Sequence, residues 1–213
     1  MQRLRLKFSR GEELKFLSHL DLMRLWERAL RRAGLPLAYS EGFTPHPQIA
    51  LAAPLIVGVT SDAELMDVSL SKWVSPQSFT AQIEKQLPGG IRVIEVCPVG
   101  PNTPSLQSQV KFVEYRTEVG TEKGRREVES DVESFLSKSE LPWHHDRDTG
   151  ARYYDLRALV DDIRIIDFRD SVCTLVMRLR CDEKGAGRPE QVIKALGFTK
   201  RPKFMHRTNV ILG

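Results

Sequence analysis

The sequence is poor in cysteine, which removes two classes of small protein from consideration. Only Cys97, Cys173 and Cys181 occur among 213 residues, without the paired spacing of a zinc site or a disulfide framework. On one extended strand Cys173 and Cys181 would be about 26 Å apart, whereas the two Cα atoms of a disulfide lie within about 7 Å of each other. We therefore expect the three thiols to be buried and structural.

Long hydrophobic runs are also absent. No run approaches the roughly 18 to 20 apolar residues that span a membrane. Arg3, Arg5 and Lys7 interrupt the N-terminal segment at every second position, which excludes a signal-peptide hydrophobic region. We expect a cytoplasmic protein without membrane contact.

Familiar cofactor motifs are missing as well. The sequence has no nucleoside-triphosphate loop, dinucleotide fingerprint, cysteine-rich iron–sulfur motif or nucleophile elbow. The run His144-His-Asp-Arg-Asp148 is rich in metal-binding residue types, but adjacent histidines rarely converge on one ion and no partner pair stands at helical spacing. We expect no metal site and no bound cofactor.

The charge that is present is unevenly distributed. Residues 3–32 hold nine basic and four acidic side chains, and residues 184–207 hold seven basic and one acidic. The net charge of the whole chain is only +4, so the remaining residues are acidic on balance. Two basic segments on either side of an acidic middle region predict a surface that faces a polyanion, provided that the two segments come together in the fold. A solvated face with local ion pairs is the alternative.

The first 99 residues show the element order β-α-β-β-α-β. Leu4, Leu6 and Phe8 alternate with basic residues, which predicts a half-buried strand with a positive open face. Ser18 and Ser75 are placed to begin helices that end near Gly34 and before Pro88. Three further strands are predicted at residues 48–57, 63–70 and 91–99. This is the split-βαβ pattern of a ferredoxin-like domain, with both helices on one face of an antiparallel sheet.

The second half repeats this order. Turn-forming residues from 100 to 108 predict a linker. Strands are predicted at 110–119, 153–156, 163–168, 172–181 and 203–212, and helices at 125–138 and 189–196. The predicted fold class is therefore α+β, with two tandem ferredoxin-like units, 1–99 and 109–213, joined by residues 100–108.

The open sheet faces supply the first candidate site. Helices cover one side of each predicted sheet, and basic residues alternate on the other, where they suit a phosphate backbone through counterion release and charge-assisted hydrogen bonds. The first strand offers no outward aromatic residue, so base stacking on that sheet is disfavoured. Together with cations of the first helix, the predicted phosphate contacts are Arg3, Arg5, Lys7, Arg28, Arg32, Arg178, Lys203 and Arg207.

The first helix and the loop after it supply the second candidate. His19 lies at the predicted helix start, and the turn-rich segment from Tyr39 to Pro47 is long enough to fold back over the sheet. His19 and His46 are candidate catalytic residues for acid–base chemistry. The predicted pocket residues are Tyr39, Glu41, Phe43 and His46. The alternative is a purely structural role, in which His19 only caps the helix and the Pro-His-Pro segment only forms a rigid turn.

Residues 3–70 resemble the radical-SAM-linked protein family, an uncharacterised bacterial domain family. The resemblance is carried by Leu-Arg-Leu-Lys-Phe at the start, by Phe16-Leu-Ser-His-Leu-Asp-Leu22, by Arg31-Arg-Ala-Gly-Leu-Pro36 and by Tyr39-Ser-Glu-Gly-Phe-Thr-Pro-His-Pro47. It implies a radical SAM enzyme as partner, acting on RNA, but no reaction and no catalytic residues. Because the chain lacks the three-cysteine motif of that chemistry, it reads as a companion and not the catalyst.

The leading hypothesis is a cytoplasmic RNA-binding accessory protein that holds tRNA or rRNA for a radical SAM protein. The first alternative is a metal-independent ribonuclease or RNA-modifying enzyme that uses His19 and His46. The tandem architecture has a weaker similarity to CRISPR-associated repeat-RNA endoribonucleases. The second alternative is a protein-docking module for the radical SAM partner, without RNA affinity. The sequence leaves enzymatic activity open and favours its absence.

Overall fold

The computed structural model describes residues 1–147 and 150–213, without the side chains of 145–147, 151 and 152. The chain divides into two compact units, Met1–Val110 (unit 1) and Lys111–Gly213 (unit 2). Both units mix helices with antiparallel strands, so the predicted α+β fold class is confirmed. In the part of the chain that is described, no helix is long and apolar enough to cross a membrane.

Unit 1 is built on a four-stranded antiparallel sheet. Its elements are β1 (Gln2–Arg10), α1 (His19–Arg32), β2 (Ile49–Leu51), β3 (Thr60–Leu70), α2 (Pro76–Ile83), β4 (Ile91–Val99) and a short α3 (Leu106–Gln109). Strand β1 pairs with β3 and β4, and β2 pairs with the other edge of β3. The strand order β2-β3-β1-β4 is that of the split-βαβ pattern.

Local sequence signals set both ends of α1. The Ser18 hydroxyl accepts a hydrogen bond from the Asp21 N–H at 3.2 Å, which satisfies one of the free donors of the first turn. At the other end Gly34 adopts a φ of +68°, and Leu35 N–H donates back to the Leu30 carbonyl at 3.4 Å. This reversal is favoured at glycine, which has no Cβ to clash there. The sequence predicted both boundaries.

The core of unit 1 lies between the sheet and its helices. Leu4, Leu6 and Phe8 of β1 are fully buried, as the alternating pattern predicted. Phe8 packs edge-to-face on Trp26 of α1, with ring centroids 4.8 Å apart. Phe79 of α2 is also fully buried and belongs to the same cluster. Both helices therefore cover one face of the sheet and leave the cationic side of β1 on the other.

The four main strands of unit 2 pair with one another in the same order. Its elements are β5 (Val110–Gly120), α4 (Arg125–Ser137), β6 (Pro142–Arg147), β7 (Gly150–Asp155), β8 (Val160–Arg169), β9 (Val172–Asp182), β10 (Gly185–Ala186), α5 (Pro189–Ala195) and β11 (Phe204–Leu212). The order is β8-β9-β5-β11, with β10 also paired to β9. Leu175, Met177 and Leu179 of β9 are fully buried.

One element of unit 2 differs from the sequence-based expectation. Residues 142–150 carry turn-forming and polar residues and predict a surface loop, whereas β6 and β7 form a two-stranded antiparallel hairpin. The run Trp143-His-His-Asp-Arg147 shows no alternation of apolar and polar residues, so it gives no strand signal. A two-stranded ribbon outside the main sheet does not need a buried apolar face, which explains the missing pattern. Asp148, the last residue of the run His144–Asp148, lies outside the described residues, as do the side chains of residues 145–147.

Candidate nucleic-acid interface

The cations of β1 are largely engaged inside unit 1. Arg5 donates from Nε and Nη2 to the two carboxylate oxygens of Asp67, at 2.7 and 3.0 Å. Asp67 stands directly opposite Arg5 on β3 and is only 5% exposed. Arg3 Nε lies 3.8 Å from the same carboxylate. Two predicted phosphate contacts are thus part of a partly buried ion cluster, in which both arginines share the Asp67 carboxylate.

The same arginines hold the segment that follows β4. Arg3 donates to the Gly100 carbonyl at 3.3 Å and to the Thr103 carbonyl, and Arg5 donates to Gln109 Oε1 at 3.3 Å. The residues for which composition predicts a linker therefore contact β1, and they include the first three residues of α3. We infer that Arg3 and Arg5 position this segment, because together they donate three hydrogen bonds to its backbone and side-chain oxygens.

The remaining predicted sheet cations differ in their surroundings. Arg178 is half-buried and lies 3.3 Å from both Glu114 and Asp161, so its charge is compensated. Lys7 is half-buried and Lys203 is exposed, and within the described residues neither makes an ion pair. These two stay candidates for phosphate contact.

The position of Arg207 differs from the alternation predicted for the last strand, which placed this side chain on the open face of the sheet. Its side chain is 1% exposed, with its Nη2 donating to the Tyr115 hydroxyl at 2.9 Å and its guanidinium carbon 5.4 Å from the Tyr115 ring centroid. A buried guanidinium cannot reach an RNA backbone at the surface. The strand contains both polar and apolar residues on each side, so alternation alone did not distinguish its inner face.

The strongest cationic site of unit 1 lies on the helical side and not on the sheet. Arg28 and Arg32 are one turn apart on the exposed face of α1. With Lys85, from the 3₁₀ turn after α2, they line a groove of about 620 Å³ whose walls also include Leu25 and Leu87. Arg32 Nη2 donates to the Gln86 carbonyl at 2.8 Å, which fixes its position at the groove. We call this site the α1–α2 groove.

The electrostatics of the α1–α2 groove favour an anion. Its single carboxylate, Asp21, accepts a 2.7 Å hydrogen bond from the Ser18 hydroxyl and lies 3.6 Å from Arg24. Within the described part of the chain, Arg28, Arg32 and Lys85 make no ion pair. Several guanidinium and ammonium donors are thus left for a ligand, and phosphate is a good match for them.

Lys85 is a functional candidate that the sequence did not reveal. The helical spacing of Arg28 and Arg32 predicted an exposed basic face, but Lys85 stands alone between Glu84 and Gln86. Only the packing of α1 against the turn after α2 brings it to the other two cations. No local pattern carries that information, because it depends on a contact between residues more than 50 positions apart.

The Tyr39–Pro47 loop closes on itself. Tyr39 and Pro47 form an isolated antiparallel bridge, Ser40 N–H donates to the His46 carbonyl at 2.9 Å, and His46 N–H donates to Ser40 Oγ at 3.1 Å. Glu41, Phe43 and His46 are exposed, and no residue of the predicted pocket lines the α1–α2 groove. These hydrogen bonds hold the loop as a closed, exposed turn, with Phe43 near its tip.

His19 and the loop lie toward opposite ends of α1. His19 is the first residue of the helix, and Arg31 follows twelve residues later, which is about 18 Å along the axis. The Arg31 guanidinium carbon is 5.9 Å from the Tyr39 ring centroid, so the base of the loop is near the C-terminal end. This placement does not support His19 and His46 as a paired acid and base.

Neither Cys97 nor Cys173 is an activated nucleophile. Burial is the largest influence on Cys173 and raises the pKa of its thiol to about 11, although Arg125 acts in the opposite direction. Burial followed by the charge of Glu95 also raises the pKa of Cys97. Catalytic cysteines have a lowered pKa. Among the described residues, no group of three or more His, Cys, Asp or Glu side chains is placed to hold a metal ion.

We expect Cys173 to resist alkylation in the native chain. At about pH 8, a thiol whose pKa is near 11 carries roughly 100-fold less thiolate than one with its ordinary pKa, and Cys173 is also fully buried. Iodoacetamide labelling followed by peptide mass spectrometry, with and without guanidinium, measures this protection. Cys173→Ala identifies the signal, and equal labelling rates in both conditions would contradict the burial.

Comparison with protein families gives a match over most of the chain. The family model DUF2344, described as an uncharacterised protein conserved in bacteria, matches residues 3–189. The comparison with curated proteins found no match.

Two solved structures contain chains that share the fold. The crystal structure of a Cbf5-Nop10-Gar1 complex contains a chain that matches with a TM-score of 0.55 at 9% identity, covering 98% of this chain and 48% of that one. The structure of an H/ACA RNP bound to a substrate RNA containing 2′-deoxyuridine gives 0.50 at 10% identity, covering 98% and 47%. This chain spans about half the length of those chains, and the likeness at such identity concerns the fold alone.

Proposed function

We propose that this chain, which belongs to the DUF2344 family of uncharacterised bacterial proteins, is an RNA-binding accessory protein that works with a radical SAM enzyme. The observation that carries the RNA part is the α1–α2 groove. Its cations Arg28, Arg32 and Lys85 make no ion pair within the described residues, while Arg3, Arg5 and Arg178 do pair with carboxylates. Three cations of unit 1 that make no such pair therefore line one concave site.

The groove suits a nucleic-acid backbone in two respects. Guanidinium groups donate paired hydrogen bonds to phosphate oxygens, and Arg28 and Arg32 lie side by side on one helix. Leu17, Leu25 and Leu87 form apolar walls against which a ribose or a base can pack. Because contacts of this kind read the backbone, we expect recognition of RNA shape more than of its sequence.

Two other observations agree with this proposal without carrying it. One of the solved structures that share the fold is, by its title, an H/ACA RNP bound to a substrate RNA. The resemblance of residues 3–70 to the radical-SAM-linked family supports the choice of partner, and a tRNA or rRNA substrate would give the two proteins a common ligand. Radical SAM chemistry would be supplied by the partner.

We expect RNA binding to weaken with salt and to depend on the groove. Measured by filter binding to total cellular tRNA and rRNA between about 50 and 200 mM salt, log Kd should rise linearly with log salt concentration. Arg28→Ala/Arg32→Ala/Lys85→Ala should lower the affinity by about 10- to 100-fold and reduce the salt slope by about 2, since three phosphate contacts are removed.

The control removes the same number and kind of charges elsewhere. Arg92, Arg126 and Lys72 are exposed and lie outside the groove, so the alanine triple variant at these positions should keep the wild-type affinity to within about threefold. Equal losses in both variants would indicate binding through net charge alone and would contradict a groove. Salt-independent or absent RNA binding would overturn the proposed function.

One observation favours the protein-docking alternative. Phe43 is fully exposed on the braced Tyr39–Pro47 loop, and an exposed aromatic side chain held by a rigid frame is typical of protein contacts. If the chain binds a radical SAM partner after nuclease treatment and at high salt, yet has no affinity for RNA, the docking module replaces the RNA-binding proposal.

A further inference from the structure

A second cavity lies wholly within unit 2 and has no part in the proposed RNA groove. It has a volume of about 790 Å³ and lies between α5 and the segment that leads into β11. This volume is within the range of small-molecule sites, roughly 300 to 1,000 Å³. Its walls combine apolar side chains, basic side chains and one carboxylate. We call it the α5 pocket.

The chain reversal after α5 forms the apolar wall of this pocket. Gly197 adopts a φ of +79°, and Phe198 N–H donates back to the Ile193 carbonyl at 3.2 Å. Phe198 is 7% exposed and Ile193 is 2% exposed, so both are fixed by packing. Pro202 and Met205 complete the apolar lining. A flat, largely apolar group fits such walls.

The reversal is also fixed by contacts at both of its ends. Lys123 Nζ donates to the Leu196 carbonyl at 3.1 Å and lies 2.6 Å from Asp131. At the other end, Lys203 N–H donates to the Glu118 carbonyl at 2.7 Å. The segment from 197 to 203 is therefore held in place before any ligand binds, which reduces the entropy lost on binding.

Basic side chains lie on the exposed parts of the pocket. Lys194, Lys200 and Arg201 line it and are exposed. Lys200 Nζ lies 3.5 Å from Glu122, whereas Lys194 and Arg201 make no ion pair with any described residue. Two uncompensated cations beside an apolar cavity favour a ligand with an anionic group, and phosphate is a good match for an Arg and Lys pair.

The carboxylate adds a requirement for hydrogen-bond donors. Glu190 lines the pocket, and its Oε2 is shielded from solvent without a hydrogen-bond partner among the described residues. A buried carboxylate oxygen without a partner is costly. Lys194 is one helical turn away and does not form an ion pair with it in this structure. Rotation of the half-buried Glu190 side chain toward the cavity would bring this acceptor to a ligand with N–H groups along one edge.

We propose that the α5 pocket binds a guanosine phosphate. The phosphate would contact Lys194 and Arg201, the base would lie against Phe198 and Met205, and the guanine edge with its two adjacent N–H donors would bind the Glu190 carboxylate. Adenine has an acceptor nitrogen at the corresponding position, which would oppose a carboxylate oxygen. The proposal is independent of the α1–α2 groove, because the two sites share no residue.

Calorimetric titration of the full-length chain with GMP, AMP and inorganic phosphate tests this proposal. We expect saturable binding of GMP and at least about tenfold weaker binding of AMP, since the polar edge of AMP mismatches the site. Glu190→Gln should reduce the ratio of the two affinities by about tenfold or more, because an amide can pair with adenine. Lys194→Ala/Arg201→Ala should weaken both nucleotides by a similar factor of about ten.

The controls separate this site from other cationic surfaces. Arg126→Ala/Lys138→Ala removes the same number of exposed charges elsewhere and should leave GMP affinity unchanged. Amide chemical-shift changes on GMP addition should map to residues 190–205. Absence of GMP binding, equal affinities for GMP and AMP, or shifts confined to other residues would overturn the proposal.

The ligand can be a free nucleotide or the end of an RNA strand, and competition distinguishes these sources. An RNA oligonucleotide that begins with 5′-phosphoguanosine should displace GMP if the pocket takes a strand end. The same oligonucleotide without effect on bound GMP would assign the pocket to the free nucleotide. The groove triple variant should bind GMP normally in either case, so failure of the RNA proposal and failure of this one are separate results.

Discussion

Replacement of Asp67 by alanine is expected to destabilise unit 1 by about 3 to 5 kcal/mol. The Asp67 carboxylate is 5% exposed and accepts two hydrogen bonds from Arg5, and Arg3 lies 3.8 Å from it. Without this carboxylate, the Arg5 guanidinium would be left partly buried with no opposite charge. The cost arises from that uncompensated charge more than from the loss of an attractive pair.

Trp26 provides a reporter for this measurement. It is fully buried in unit 1, whereas Trp73 is 76% exposed. In a Trp73→Phe/Trp143→Phe background, urea unfolding followed by fluorescence reports on the surroundings of Trp26. Glu84→Ala removes an exposed carboxylate from the same unit and should change the unfolding free energy by about 0.5 kcal/mol or less.

The same variant separates a structural from an RNA-binding role of the β1 arginines. If Asp67→Ala costs less than about 1 kcal/mol, the ion cluster contributes little and Arg3 and Arg5 are again candidates for phosphate contact. Arg5→Met/Asp67→Leu should recover part of the lost stability, because two apolar side chains replace the pair without leaving a charge. RNA affinity of this double variant should match that of the wild type if the α1–α2 groove carries binding.

The sequence predicted strand β1 and helix α1 of unit 1 because each has a local cause. The period of two in Leu4, Leu6 and Phe8 predicts the strand and its buried face, and Ser18 with Gly34 predicts both ends of α1. Local patterns say which face a residue occupies but not what lies opposite. Asp67 is more than 60 positions from Arg5, so its neutralising role depends on strand register. The alternation therefore predicts a positive face on β1, but it does not encode the ion pairs that Arg3 and Arg5 make with Asp67.

The candidate sites show the same limit. Arg28 and Arg32 were predictable because helical spacing puts both on the exposed face of α1. Lys85 was not, since it joins them only through packing between elements. The α5 pocket depends on the reversal at Gly197, and a glycine after a short helix predicts a turn but no cavity. The sequence thus indicated which residues share a helix face or begin a turn, but it did not indicate contacts between separate elements.

The second large effect is expected in unit 2, where Arg207→Ala should cost about 3 kcal/mol or more. Arg207 is 1% exposed, donates to the Tyr115 hydroxyl at 2.9 Å and lies against the Tyr115 ring. The variant removes a charge-assisted hydrogen bond and a desolvated cation–π contact, and it leaves a cavity in the core. Tyr115→Phe keeps the packing and removes only the hydroxyl acceptor, so we expect a smaller loss of about 1 to 3 kcal/mol.

Protection of the Cys173 thiol measures this loss inside unit 2. The thiol is fully buried, so its rate of alkylation follows the fraction of time that the unit is open. A destabilisation of about 3 kcal/mol should raise that rate by roughly 100-fold, while Lys203→Ala, an exposed cation one residue before the same strand, should change it by less than about threefold. At a temperature where Arg207→Ala stays folded, its RNA affinity should equal that of the wild type. A large loss of RNA affinity with unchanged Cys173 protection would instead return Arg207 to the nucleic-acid interface.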